Sequence, residues 1–339
     1  MSTVLVTGGT GFVGSHIVLQ LLRVGHDVRT SVRHTSKRRD VHDMMTRAGA
    51  DTGRLTYAVA DLADDAGWRE AVAGCDYVMH VASPLSTTAS ATEEQVVGPA
   101  RDGTLRVLRA ARDAGVVRVV VTSSCGAVYY GHPLQAARFD ESSWTVVSDS
   151  LTHYVKSKAI AERAAWDFLA REGGGLEMAV INPVGIFGPM LGPNQESSGR
   201  IIARLLAGMP GCPRIYFAVV DVRDVADLHL RAMTHPAANG QRFIAAAGDS
   251  MSMVDIAAIL RDRLGERARR VPRRQLPDWL VRVAGRFSPE LRELLPLIGA
   301  VRNVSNEKAR TVLDWSPRSP ADALVATAES LLAFDKVRP

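Results

Sequence analysis

The run Val4-Leu-Val-Thr-Gly8-Gly-Thr-Gly11-Phe-Val-Gly14-Ser-His-Ile-Val-Leu19 decides the fold. It begins as a β-branched strand, turns through glycines spaced by three, and enters an apolar-periodic helix. Gly8 permits a tight turn, Gly11 lets a pyrophosphate approach the backbone, and Gly14 allows the helix to pack closely on the strand. Phe12 and Val13 open that helix, whose N–H groups and positive dipole end suit an anion. A glycine triplet alone is a common turn. Its place between the first strand and the first helix turns it into a dinucleotide-binding reading.

Outward from this run, short β-branched stretches alternate with helix-length segments up to residue 182. Strands are expected at Val4-Val6, Asp27-Val32, Arg54-Val59, Tyr77-Val81, Val117-Thr122 and Leu176-Ile181. Helices are expected near 12–24, 37–48, 65–73, 93–114 and 152–172. Continuous apolar strands separated by helices predict an α/β, Rossmann-type doubly wound parallel sheet, with its ligand at the carboxyl ends of the strands. From Pro183 glycine and proline cluster, and the last hundred residues read as helices broken by prolines. A strand at Ile215-Val220 and the helix after Asp221 are expected to return to the sheet. The chain therefore divides into a dinucleotide-binding domain (1–182, with 213–235 returning to it) and a smaller, mostly helical substrate lobe (183–212 and 236–339).

The end of the second strand sets the choice of dinucleotide. An NAD site wants a carboxylate there for the adenosine ribose, but Asp27 stands at the strand's start. Its end carries Arg33, 19 residues after Gly14, with Lys37 close behind. A guanidinium in that place suits a 2′-phosphate, which favours NADPH over NADH. Asp61 and Leu62, after the third strand, are placed to touch the adenine.

Tyr154-Val-Lys-Ser-Lys158 opens the helix near 152–172. At a spacing of four, Tyr154 and Lys158 share a face, whereas Lys156 points elsewhere. A phenol beside an ammonium can pass a proton to a carbonyl oxygen while a dihydronicotinamide delivers hydride to the carbon. Lys158 is also expected to hold the nicotinamide ribose. The fifth strand ends in Thr122-Ser123-Ser124, hydroxyls at the carboxyl edge of the sheet. Thr122 is assigned to the cofactor and Ser124, in preference to Ser123, to the substrate oxygen.

Thr7-Gly-Gly-Thr-Gly-Phe-Val-Gly14, His80-Val-Ala-Ser-Pro84, Thr122-Ser-Ser124, Tyr154-x-x-x-Lys158, Asn182-Pro-Val-Gly-Ile-Phe-Gly-Pro189 and Asp221-Val-Arg-Asp-Val-Ala226 together resemble the extended short-chain dehydrogenase/reductase family. Within it they are most similar to the dihydroflavonol reductase, cinnamoyl-CoA reductase and bacterial aldehyde/ketone reductase branch. The resemblance implies NADPH-dependent carbonyl reduction by Ser124, Tyr154 and Lys158. It also implies that Arg33 meets the 2′-phosphate and that Val81, Ala82, Ser83, Pro183 and Val184 line the nicotinamide end. Tyr129 stands where plant dihydroflavonol reductases carry a substrate-binding Asn, which argues against a flavonoid.

Substrate-facing stretches are expected at Pro84 to Thr92, Tyr129 to Gly131, Ile186 to Asn194 and Arg204 to Phe217. Their apolar and aromatic members Leu85, Tyr129, Phe187, Met190 and Leu191 suit a neutral, medium-to-bulky carbonyl compound. Phe187 and Leu191 could equally pack the hinge between lobes. Three other readings share parts of this pattern. A hydroxysteroid dehydrogenase needs only a larger apolar cleft. A nucleotide-sugar epimerase or dehydratase would bind a diphosphate through residues such as Arg200, Arg204 and Arg214. A non-enzymatic NADP-sensing regulator would keep the glycine turn without needing Tyr154 and Lys158.

Composition narrows the rest. Of 339 residues, 46% are hydrophobic and 23% charged, which excludes wholesale disorder. No apolar run approaches the ~20 residues that cross a bilayer. The net charge of +5 is almost all arginine and densest at Arg261–Arg274, where no aromatic interleaves, so no nucleic-acid partner is expected. Cys75, Cys125 and Cys212 lie far apart, and the nine histidines lack metal-ligand spacing, so no metal is expected. With no charged leader before the first strand, the expectation is a cytoplasmic protein. Its partner is a small-molecule carbonyl substrate. Apolar stripes on the helices near 93–114 and 152–172 suit a homodimer, or could simply cover the sheet.

Overall fold

In a computed structural model, residues 1–84, 92–133, 137–193, 198–288, 292 and 294–337 are described. Seven strands form one parallel sheet: β1 (Thr3–Thr7), β2 (Asp27–Val32), β3 (Leu55–Val59), β4 (Tyr77–His80), β5 (Arg118–Thr122), β6 (Glu177–Pro183) and a last strand, Gln241–Ala245. Their order is the last strand, β6, β5, β4, β1, β2, β3. The chain thus leaves β1 toward β2 on one side and later resumes at β4 on the other. This reversal opens a crevice above the carboxyl ends of β1 and β4, where ligands of such sheets bind. Central strands are buried along nearly their whole length, whereas the edge strand β3 is largely half-exposed or exposed, and the β-branched runs follow that difference.

Both faces are covered. On one lie α1 (Phe12–Arg23) and a later helix, Val222–Thr234, packed against each other; α2 (Lys37–Arg47) adds Val41, Met44 and Met45 to the same core. On the other lie α3 (Trp68–Val72), α4 (Glu93–Asp113) and α5 (His153–Glu172). Val107, Leu108, Ala111, Ala165 and Phe168 show that the apolar stripes of α4 and α5 cover the sheet. The start of α4 is fixed by a capping box between Thr92 and Gln95, and that of α5 by the Thr152 hydroxyl accepting from the Val155 N–H.

Two details differ from the sequence-based expectation. The stretch 215–220 is not one strand of the main sheet. It forms two short strands, Tyr216–Phe217 and Val219–Asp221, paired respectively with Met251–Ser252 and Gly185–Phe187. Only the helix that follows Asp221 returns to the sheet. Conversely Gln241–Ala245, expected in the substrate lobe, is the seventh strand and pairs with β6. Its apolar core is only Phe243-Ile244-Ala245, after the polar Gln241 and Arg242, too short a run to read as a strand.

The C-terminal helix Pro320–Ala333 clasps the hinge. Thr327 Oγ1 accepts from the Gly188 N–H at 2.7 Å and Ser330 Oγ from the Met190 N–H at 3.0 Å. Trp315, 1% exposed, donates its indole N–H to the Asp224 carbonyl. The larger core therefore runs without a break from α1 into the C-terminal segments.

Candidate active site

The glycine turn is a cradle that side chains would fill. Gly8 has φ +73°, a left-handed conformation that glycine adopts at no steric cost. A Cβ on Gly14 would lie 2.3 Å from the Gly8 carbonyl oxygen, and one on Gly9 2.1 Å from Thr30 Oγ1. Gly11 caps α1 without a side chain, and the first turn holds no acidic residue. That turn borders the cleft with its positive dipole end and without an acidic side chain of its own, which fits a dinucleotide pyrophosphate. Gly8, Gly11, Phe12, Val13 and Gly14 all border the cleft.

Arg33, exposed, borders the cleft at the end of β2, and among the described residues no carboxylate pairs with it. Lys37 borders it too, but holds Asp40 at 2.8 Å. Asp61 and Leu62 lie beside them; one Asp61 carboxylate oxygen caps the Ala63 N–H.

A chain of hydrogen bonds fixes the crevice between β1 and β4. Thr7 Oγ1 accepts from the N–H groups of Val81 (3.0 Å) and Ala82 (2.9 Å), so its own proton goes to His80 Nδ1 at 3.1 Å. His80 Nε2–H then donates to Thr104 Oγ1, whose proton goes to the Ala100 carbonyl. The order is consistent only with a neutral imidazole. Complete burial, with Lys158 pushing the same way, lowers the His80 pKa to about 3. This holds Val81, Ala82 and Ser83, all at the cleft wall, against the Gly8 turn. The histidine's role is to hold strand ends together, and only its partners reveal it.

The two serines after β5 have different fates. Ser123, buried, donates to Glu162. Ser124 faces the cleft, and its Oγ accepts from the Gly126 N–H at 3.0 Å, leaving its proton to donate. A Cβ on Gly126 would lie 3.3 Å from Ser124 Oγ and 3.8 Å from Lys158 Cβ, so the serine and the lysine flank one spot. Lys158 Nζ stands 5.9 Å from the centre of the Tyr154 ring, and Tyr154 is 45% exposed at the same cleft. Lys156, by contrast, is committed to Glu93 at 2.6 Å, tying α5 to α4.

Behind this trio is a buried polar cluster that sequence reasoning did not find. Glu162, one turn beyond Lys158 on α5, accepts from Ser123, Asn182, Trp166 and Arg242. Asn182 also donates to the Ser124 carbonyl, and Arg242 to the carbonyls of Glu141 and Ser143. Thr122 Oγ1 lies 2.7 Å from His229 Nε2, while Nδ1–H of that histidine donates to the Val225 carbonyl, so the threonine is the donor. Burial lowers the His229 pKa to about 4. Pro183, Val184 and Thr122 border the cleft as expected.

The cleft encloses about 2010 Å³, well above the roughly 300–1,000 Å³ of a site for one small ligand. Beyond Tyr154 it is walled by Tyr129, Tyr130, Ile186, Phe187, Phe217, Leu294 and Leu297. Tyr129 is buried deeply enough that its phenol pKa is pushed well up, so it stays a neutral donor. Met190 and Leu191 do not border the cleft: Met190 is buried in the hinge core and Leu191 packs against it. Phe187 belongs to both core and wall. Leu85 lies outside the described residues. Of the arginines considered for a diphosphate, Arg200 borders the cleft, Arg204 does not, and Arg214 is paired with Asp278. Among the described residues no group of three metal-binding side chains occurs, the three cysteines are unpaired and buried, and no helix is long and apolar enough to cross a membrane.

Residues 4–246 match the family model described as NAD dependent epimerase/dehydratase family. The chain is 35% identical over 273 residues to a dihydroflavonol 4-reductase of Zea mays, covering 78% of this chain and 75% of that protein. It is 34% identical over 297 residues to a ketoreductase of Aspergillus niger, covering 82% and 87%. Among solved structures, the yeast methylglyoxal/isovaleraldehyde reductase complexed with NADPH superposes with a TM-score of 0.82 at 25% identity, covering 98% of this chain and 99% of that one. The seven-stranded parallel sheet, the glycine turn and these likenesses agree, and the chain belongs to the NAD-dependent epimerase/dehydratase family, on the side of its carbonyl reductases.

Proposed function

We propose that this protein is an NADPH-dependent reductase of ketones or aldehydes with medium-to-bulky apolar or aromatic substituents. The observation that carries the reading is the convergence of Ser124, Tyr154 and Lys158 on one cleft with the glycine turn. The relatives support it: one acts as a ketoreductase by name, and a structural neighbour holds NADPH.

The glycine turn and the start of α1 would hold the pyrophosphate, Arg33 the 2′-phosphate, and Lys158 the nicotinamide ribose. When bound, the cofactor supplies hydride to the carbonyl carbon. Ser124, already accepting from Gly126, donates a hydrogen bond to the carbonyl oxygen, keeps its proton and fixes the oxygen's position. As the carbon–oxygen π electrons move onto that oxygen, Tyr154 delivers its phenolic proton and the alcohol forms. The apolar wall at Ile186, Phe187 and Phe217 would receive the apolar substituents of the carbonyl compound.

The test is a panel of aryl ketones, aliphatic aldehydes, steroids and nucleotide sugars, each assayed with NADPH and with NADH by absorbance. Oxidation of NADPH by aryl ketones or aldehydes is expected. Failure with every carbonyl compound removes the reading.

A further inference from the structure

We propose that the physiological substrate carries a carboxylate and that Arg302 binds it, at a subsite of the cleft beyond Tyr154. The proposal rests on the reductase reading and replaces the wholly neutral substrate expected from sequence with an anionic one. Arg302 borders the cleft, half-buried, with its guanidinium carbon 5.0 Å from the centre of the Tyr130 ring. Tyr130 in turn packs on Tyr129 at 4.9 Å. Among the described residues no carboxylate pairs with Arg302. Other sheltered arginines have acceptors: Arg118, Arg242 and Arg223 are paired with Glu177, Glu162 and Asp221, and the half-buried Arg29 and Arg261 donate to backbone carbonyls, of Ala71 and Ala73 and of Pro272. A cation taken partly out of water and left unpaired is costly, so an arginine in that state fits a site whose counter-ion is a ligand.

The rest of the site agrees. The acidic residues that border the cleft, Asp40, Asp43 and Asp61, all lie on α2 or just after β3, at the end where Arg33 stands. The substrate end offers no carboxylate among its described residues. The arginine is also held in place. Its carbonyl accepts from Ser250 Oγ, and the neighbouring Asn303 bonds both Phe139 and Ser250. A guanidinium resting on an aromatic ring keeps its N–H edge for a coplanar acceptor, and a carboxylate matches that fork. Apolar walls at Phe217, Leu294 and Leu297 would enclose the carbon skeleton between the carbonyl and the acid.

The experiment uses the intact protein with NADPH and three keto acids of increasing spacer length: benzoylformate, 3-benzoylpropionate and 5-benzoylpentanoate. Each is compared with its methyl ester. At least one acid is expected to have a kcat/KM tenfold or more above its ester, mostly through KM, and rising salt should erode that preference. In Arg302→Met the acid-to-ester ratio should fall at least tenfold, and Arg302→Lys should recover part of it. Thermal unfolding of each variant separates loss of the subsite from loss of the fold. Reduction of the esters with no preference for any acid, or a ratio unchanged in a folded Arg302→Met, overturns the proposal and leaves the reductase reading standing. Oxidation of NADPH with neither acids nor esters overturns both.

Discussion

Arg242, on the seventh strand, donates to Glu162 on α5 across 2.6 Å, with the two side chains 7% and 0% exposed. This pair joins the strand after the hinge to the helix that carries Tyr154 and Lys158. Through Ser123 and Asn182 it also fixes the loop that presents Ser124. Removing one partner leaves a buried charge uncompensated. Glu162→Leu or Arg242→Met is expected to cost about 3–5 kcal/mol of unfolding free energy, read from denaturant titration. The double variant should cost less than the sum, because neither charge is then orphaned. Additive losses would show that the two do not act as a pair.

Tyr154→Phe keeps the ring and removes the proton. In steady-state assays kcat should fall by about 10²–10⁴, while NADPH titrated by fluorescence binds nearly as before. Retention of more than about a tenth of the activity would remove the phenol from the mechanism.

Arg33 lies at the end of β2 with no carboxylate partner among the described residues. Arg33→Ala should weaken NADPH by at least about tenfold, the worth of one charge-assisted contact, and leave NADH within about twofold. Equal weakening of both would mean that the guanidinium does not read the 2′-phosphate.

Burial lowers the pKa values of His16, His80 and His229 to about 4, about 3 and about 4, from 6.5. The unfolded chain therefore binds protons below pH ~6.5 that the folded chain refuses, and stability falls as pH drops from there toward about 4. Each histidine contributes at most about 1.4 kcal/mol per pH unit, so a loss of several kcal/mol is expected near pH 5. Denaturation midpoints measured from about pH 7.5 to about pH 5 should decline steadily. A flat profile would show that these imidazoles are protonated in the fold.

The sequence by itself determined the nucleotide-binding half and brought forward the groups proposed to react. Both are encoded locally: a strand, a glycine turn and a helix in immediate succession, and two side chains four residues apart on one helix. Local spacing favoured Ser124 over Ser123 but held no physical ground for the choice. Their neighbours decide it, since Glu162 takes the proton of the first and leaves the second facing the cleft. Nor could it assign Gln241–Ala245 to the sheet, seat Met190 in the hinge core, or bring Arg302 beside Tyr130. Those outcomes depend on which surfaces meet between segments far apart in the chain. Close packing and the pairing of buried polar groups decide them in three dimensions, and no local pattern records such pairings.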